Sequence, residues 1–153
     1  MSGFIAGGQV SSGHINTDAF WPSIDVDKLR ATLRIDSSVT PARLETAIIA
    51  AAISVNRELA AWRKAKQAVG LTKLADVPGD PINETTEYVH LYARAIEAAT
   101  GAEVCERYRG YDTTASGSKS ADDTAPTIDD YRRDQRWAIR DFLGVSRTTV
   151  ELL

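Results

Sequence analysis

TPARLETAIIAAAISVNRELAAWRKAKQAVG, residues 40–70, is the stretch that decides the fold class. Leu44, Ile48, Ala51, Val55, Leu59 and Trp62 recur every three or four residues, which is the apolar stripe of an α-helix. Thr40 is a natural N-cap, and Pro41 fits the first helical position, where its missing N–H costs no bond. Gly70 can adopt the left-handed conformation that ends a helix. The spacing predicts one helix from Pro41 to Val69, roughly 43 Å long at 1.5 Å per residue. Residues 47–53 are apolar all round. A helix apolar on every side is covered on more than one side, either by its own domain or by a second subunit. Ile49 and Ile53 are therefore candidate contacts to a second subunit.

Working outward, the pattern predicts three more helices. One runs from Ile24 to Ile35, capped by Ser23 or Asp25, with Val26, Leu29 and Leu33 on its inner face. Residues 70–82 read as a loop carrying the turn sequence Pro78-Gly79-Asp80-Pro81. The third helix begins near Asn83 and stops at Gly110, burying Val89, Tyr92, Ile96, Ala99, Val104 and Tyr108. Gly101 interrupts it, at a cost of about 1 kcal/mol. Residues 111–126 are rich in Ser, Thr, Gly and Asp and read as a long mobile loop. The fourth helix opens at Thr127, with Asp130 three residues later as a capping-box variant, and ends at Gly144. Ile128, Tyr131, Ala138 and Phe142 face inward.

The expected architecture is all-α: a four-helix adaptor-like domain over residues 23–144, a flexible N-terminal arm over 1–22, a long loop before the last helix, and an extended C-terminal tail over 145–153. In the tail, Ser146, Thr148, Val150 and Leu152 share one side if it is a strand. Gly3, Gly7, Gly8 and Gly13 loosen the arm, while Phe4, Ile5, Val10, Phe20 and Trp21 punctuate it with apolar anchors. Such a segment orders when it docks on a neighbour, with Phe20-Trp21-Pro22 packing on the domain. Phe4, Ile5, Phe20 and Trp21 are candidate subunit or partner contacts.

Composition narrows the functional classes. The 153 residues carry a net charge of −3, which argues against a phosphate backbone as the main partner while leaving room for a local basic patch. A single cysteine, Cys105, excludes an intramolecular disulfide and fits a reducing cytoplasm. The N-terminus does not read as a signal peptide. The longest apolar run, Ala47 to Ile53, falls far short of the roughly 20 residues that span a bilayer. A soluble protein with no membrane partner is expected.

Chemistry is sparse. The two histidines, His14 and His90, form no metal spacing with each other or with Cys105. Cys105 reads as a packing residue, because no base is placed beside it. Gly117-Ser118-Lys119-Ser120 resembles the end of a phosphate loop but lacks its upstream glycine. No catalytic residue, metal or cofactor is expected. The fourth helix is dense in arginine: Asp129, Arg133, Arg136 and Arg140 lie close to one face. Four aspartates, Asp129, Asp130, Asp134 and Asp141, match its four arginines in number. Arg133, Arg136 and Arg140 are accordingly candidate contacts that orient a partner.

Several stretches in order carry a family resemblance. They are Thr40-Pro41-Ala42-Arg43-Leu44, Leu74-Ala75-Asp76-Val77-Pro78, Glu106-Arg107-Tyr108-Arg109-Gly110, Thr127-Ile128-Asp129, and Arg133-Asp134-Gln135-Arg136-Trp137-Ala138. With this order and spacing the chain resembles the GpL-type head completion proteins of temperate contractile-tailed bacteriophages, from about Phe20 to the C-terminus. The resemblance implies a non-enzymatic virion protein at the head–tail interface, assembled in the host bacterial cytoplasm. It implies a homo-oligomeric ring, twelve-fold to match the portal protein, that extends the DNA channel and presents a surface to the tail-attachment protein. Packaged DNA then passes through without sequence-specific binding. The loop residues Asp112, Lys119, Asp122 and Asp123 face either the channel or the tail. The alternative is a helical DNA-binding packaging module of the small-terminase kind, which needs Arg133, Arg136 and Arg140 exposed and unpaired.

Overall fold

A computed structural model describes residues 13–108 and 125–147. Among them are five α-helices and two short hairpins. In chain order they are β1 (His14–Ile15), β2 (Ile24–Asp25), α1 (Val26–Thr32), α2 (Pro41–Glu58), α3 (Ala60–Ala68), a 3-10 turn (Leu74–Asp76), β3 (Pro81–Ile82), β4 (Thr85–Thr86), α4 (Glu87–Tyr108) and α5 (Ile128–Leu143). The mainly helical expectation holds; the division into four helices does not.

The expected 41–69 helix is two helices. Thr40 accepts a hydrogen bond from the Arg43 amide, and Pro41 occupies the first turn, as the sequence predicts. The chain then bends at Leu59, whose φ and ψ are −95° and 2°. Leu59 is fully buried, and the bend carries Trp62 onto Phe142, with ring centroids 4.6 Å apart. The apolar spacing runs unbroken through Leu59 to Trp62, so periodicity alone could not register the change of direction.

The first helix is shorter than predicted at both ends. Ile24 and Asp25 pair with Ile15 and His14 in an antiparallel ladder, and Asp25 caps α1 by accepting from the Lys28 amide. At the other end Arg34 turns left-handed at φ 54°, a stop that no glycine announces. The third predicted helix starts later, at Glu87, because residues 81–86 form a hairpin. Its two central residues, Asn83 and Glu84, both have positive φ, 47° and 68°. That is the twist-matched two-residue turn, in which the second position is usually glycine.

The segment assigned to a flexible arm belongs to the body from residue 13 onward. Gly13 accepts from the Val26 amide, and Asp18 accepts from the amides of Phe20 and Trp21 at 2.8 and 3.3 Å. Phe20 and Trp21 are 2% and 4% exposed: they pack on the domain, as expected, and as core residues they are not available for the subunit or partner contacts also expected of them. Trp21 stacks flat on Tyr92 with centroids 4.7 Å apart, and Phe20 meets Trp21 edge-on at 4.9 Å. Large rings at the end of a loop-like segment find their free-energy minimum inside. Phe4 and Ile5 lie outside the described residues.

α4 is the axis of the molecule, packed on α2 along one side and α5 along the other. Its second half is small and buried: Ala98, Ala99, Thr100, Gly101 and Ala102 are all covered. Small side chains let the helices approach closely. Gly101 does not interrupt α4; a Cβ there would sit 2.5 Å from Cε1 of Tyr131 on α5. The glycine is a seat for that ring. α5 begins with the reciprocal cap foreseen in the sequence: Asp130 accepts from the Thr127 amide at 3.0 Å, and Thr127 accepts from the Asp130 amide at 3.2 Å. It ends at Gly144 with φ 68°. Among the described residues no helix is long and apolar enough to cross a membrane.

Candidate interaction surfaces

α2 presents two apolar faces. Leu44, Ala47, Ile48, Ala51, Ala52 and Val55 turn inward and are buried. Ile49 and Ile53 stand one turn apart on the other side, 43% and 54% exposed. Exposed Thr46 and Arg57 extend the same ridge by one turn in each direction. Placing Ile49 and Ile53 in water leaves apolar surface unburied at about 25 cal/mol per Å². Both residues named from the sequence are therefore accessible on a rigid, capped helix.

The four arginines of α5 each have a different place. Arg132 faces inward over α4, with Nη2 3.3 Å from Glu103 and 3.0 Å from Glu106, while Nη1 donates to Gln135 at 3.1 Å. Gln135 is 4% exposed and donates onward to Ser54 on α2 at 3.3 Å. This polar chain ties three helices together, and helical periodicity did not flag Arg132 or Gln135. The available signal was Gln135 itself, a polar residue three positions before Ala138 on a buried face.

Arg133 and Arg147 grip the two-ring side chain of Trp137, their guanidinium carbons 4.8 and 4.6 Å from the indole centroid. Each is fixed in turn by carboxylates. Arg133 pairs with Asp130 at 3.3 Å and Asp134 at 3.2 Å, and Arg147 makes two bonds to Asp141 at 3.2 and 2.6 Å. The hydrogen bond from Arg147 holds the Asp141 carboxyl below its ordinary range. Arg140 donates twice to the Ser146 carbonyl, at 3.0 and 2.6 Å, and so folds residues 145–147 back on the helix end. Arg136 is exposed and makes no ion pair among the described residues. Of the three arginines named from the sequence, Arg136 is unpaired among the described residues, Arg133 is neutralised and Arg140 is bonded to the backbone. That is a poor footprint for a phosphate backbone, which takes clustered uncompensated cations.

The remaining candidates have structural places or lie outside the described residues. His90 Nε2 is hydrogen-bonded to Ile82 O at 2.7 Å and Thr85 Oγ1 at 2.9 Å, pinning the β3–β4 hairpin to α4. Cys105 is buried. Among the described residues no cluster of His, Cys, Asp and Glu could hold a metal. Tyr92 donates to Asn56 at 2.8 Å, and burial pushes its hydroxyl up to about 12, so it stays protonated. Asp112, Lys119, Asp122 and Asp123 lie outside the described residues.

A family model described as phage head completion protein (GPL) matches residues 15–153. The chain belongs to this family. It is also 42% identical, over 136 residues, to the head completion/stabilization protein of Escherichia phage P2, an alignment covering 89% of this chain and 80% of that protein. No solved structure matches. The family is a structural one of the phage head, so this chain is a virion head completion protein. The match starts at residue 15, within β1, which agrees with a body that begins before Phe20.

Proposed function

We propose that this head completion protein assembles as a ring of identical subunits, twelve-fold, beneath the portal protein, extends the DNA channel and offers the surface on which the tail-attachment protein docks. The observation that carries the reading is the Ile49–Ile53 ridge. It is exposed apolar surface on α2, on the side opposite the core. A soluble monomer gains little by keeping two neighbouring isoleucines in water, whereas a repeated contact buries them in every subunit. Arg136 and the clamped Trp137 lie on α5 and supply an orienting surface of the type enriched at interfaces. The portal concentrates subunits that associate weakly on their own. Phe4 and Ile5 are further contact residues of the arm, and Asp112, Asp122 and Asp123, with Lys119, face the channel or the tail. The site of action is the head–tail interface, after assembly in the host bacterial cytoplasm.

The pairing of Arg133 and the backbone bonds of Arg140 weigh against the DNA-binding packaging module. The test is the mass of the purified protein alone and mixed with portal, for wild type and for the double substitution Ile49→Asp, Ile53→Asp. A ring mass with portal that disappears in the variant is expected. A variant that keeps the ring, or a wild type that stays monomeric on the portal, overturns the proposal. So does low-salt duplex binding that is lost when Arg136 becomes alanine.

A further inference from the structure

A groove of about 190 Å³ runs between the β2–α1 segment and α4. Its floor is apolar and rigid: Leu29, Ile96 and Tyr92 line it and are themselves almost fully buried. Ala93 forms one lip, and Lys28 and Glu97 stand at the charged edge. The volume is well below the roughly 300–1,000 Å³ of small-molecule pockets. It is comparable with an apolar cavity of about 150 Å³ that accepts a benzene molecule. The groove therefore suits one aromatic side chain, not a free ligand.

The chain itself brings such a side chain to the spot. Residues 1–12 precede the described body, which begins at Gly13. Gly13 accepts from the Val26 amide at 2.6 Å, and His14 is in register with Asp25. Asp25 and Lys28 both line the groove, so the N-terminal segment leaves the fold at the groove's own border. Phe4 is nine residues from Gly13, and nine residues span at most about 30 Å. Phe4 is the one phenylalanine of three that the described core does not already use, since Phe20 and Phe142 are buried in it. The C-terminal residues leave from a different place, beside Trp137 and Asp141.

The geometry points to the groove between α1 and α4 as the seat of Phe4 of the same chain in the free subunit. A short tether that can span the distance presents its end at a millimolar effective concentration. One ring in an apolar seat then suffices to hold the segment down without a large interface. The inference concerns the unassembled subunit and does not depend on the ring.

The test uses the full chain. A photo-crosslinking phenylalanine analogue replaces Phe4, in a mixture of isotopically light and heavy copies. Crosslinks to α1 or to Ala93 within single copies are expected. Ala93→Trp, which fills the groove from its exposed lip, abolishes them. As a check free of the analogue, Phe4→Ala shifts the methyl resonances of Leu29, Val89 and Ile96 and leaves those of Ile49 and Ile53 unmoved. Three outcomes overturn the assignment: crosslinks between light and heavy copies, crosslinks mapping elsewhere and insensitive to Ala93→Trp, or groove methyls that ignore Phe4→Ala. Failure of ring assembly on the portal touches none of these readouts.

Discussion

Gly101→Ala has opposite effects in an isolated helix and in this one. In an exposed helix the change stabilises by about 1 kcal/mol, because alanine loses less backbone freedom on folding. Here the new methyl meets the Tyr131 ring at 2.5 to 2.7 Å, against 3.4 Å or more for ordinary contact. The ring must retreat by roughly an ångström across the most extensive helix–helix contact of the fold, α4 on α5. Overpacking of this kind costs about 1–3 kcal/mol. Set against the propensity gain, the net loss is about 1 kcal/mol, with about 2 as the upper end. Urea denaturation measures it as a lower midpoint at unchanged slope. The decisive experiment is a double-mutant cycle with Tyr131→Ala. Once the ring is gone the methyl has room, and Gly101→Ala becomes stabilising by about 1 kcal/mol. The coupling between the two positions is then about 1–3 kcal/mol. If Gly101→Ala stabilises equally with and without Tyr131, the close approach of the two helices is refuted.

Other perturbations test separate parts of the structure. Thr127→Ala removes the α5 cap and is expected to lower stability by about 1 kcal/mol in the same assay. Thr100→Val is expected to be neutral or stabilising by up to about 1 kcal/mol, because the fully buried Thr100 hydroxyl has no hydrogen-bond partner among the described residues; a clear loss of stability would show that the hydroxyl is in fact satisfied. Burial raises the Glu97 carboxyl above its ordinary value, against the opposing pull of Lys28 and Arg94. Its favourable contribution is complete at low pH and is lost as pH rises through the raised value. Glu97→Gln should therefore raise the thermal midpoint at neutral pH and leave it unchanged in acid. Asp141 runs the other way: Arg147 holds it ionised, so its contribution is present at neutral pH and fades as pH falls through the lowered value. Asp141→Asn should flatten that acid limb.

Helix signals with a side-chain mechanism were legible in the sequence. Thr40-Pro41, the Thr127–Asp130 box and Gly144 fix the ends they were expected to fix. So was the second apolar face of α2, since Ile49 and Ile53 could not share a side with Ile48 and Ala52. What stayed hidden depends on partners distant in the chain. Nothing local shows that Phe20 and Trp21 will meet Tyr92 and Phe142, so a glycine-rich beginning read as an arm up to residue 22. Arg34 and Glu84 take positive φ without being glycine, and the boundaries they set were missed. Gly101 looked like a flaw because its justification, Tyr131, lies 30 positions away. The arginines of α5 were visible as a set, but the pairing of Arg132 with Glu103 and Glu106 on α4 and of Arg140 with the Ser146 carbonyl is a tertiary fact.

The aromatic cluster has a consequence for how the protein is made. Its rings come from Phe20, Trp21, Trp62, Tyr88, Tyr92 and, last, Phe142. Phe142 touches Trp21, Trp62 and Tyr88. On the ribosome the first five rings emerge without the one that closes over them, and they lack that cover until α5 has been made. A message cut short before α5 thus releases a sticky fragment, not a smaller working protein. Quality control needs no special mark to recognise it: the exposed indoles are themselves the label.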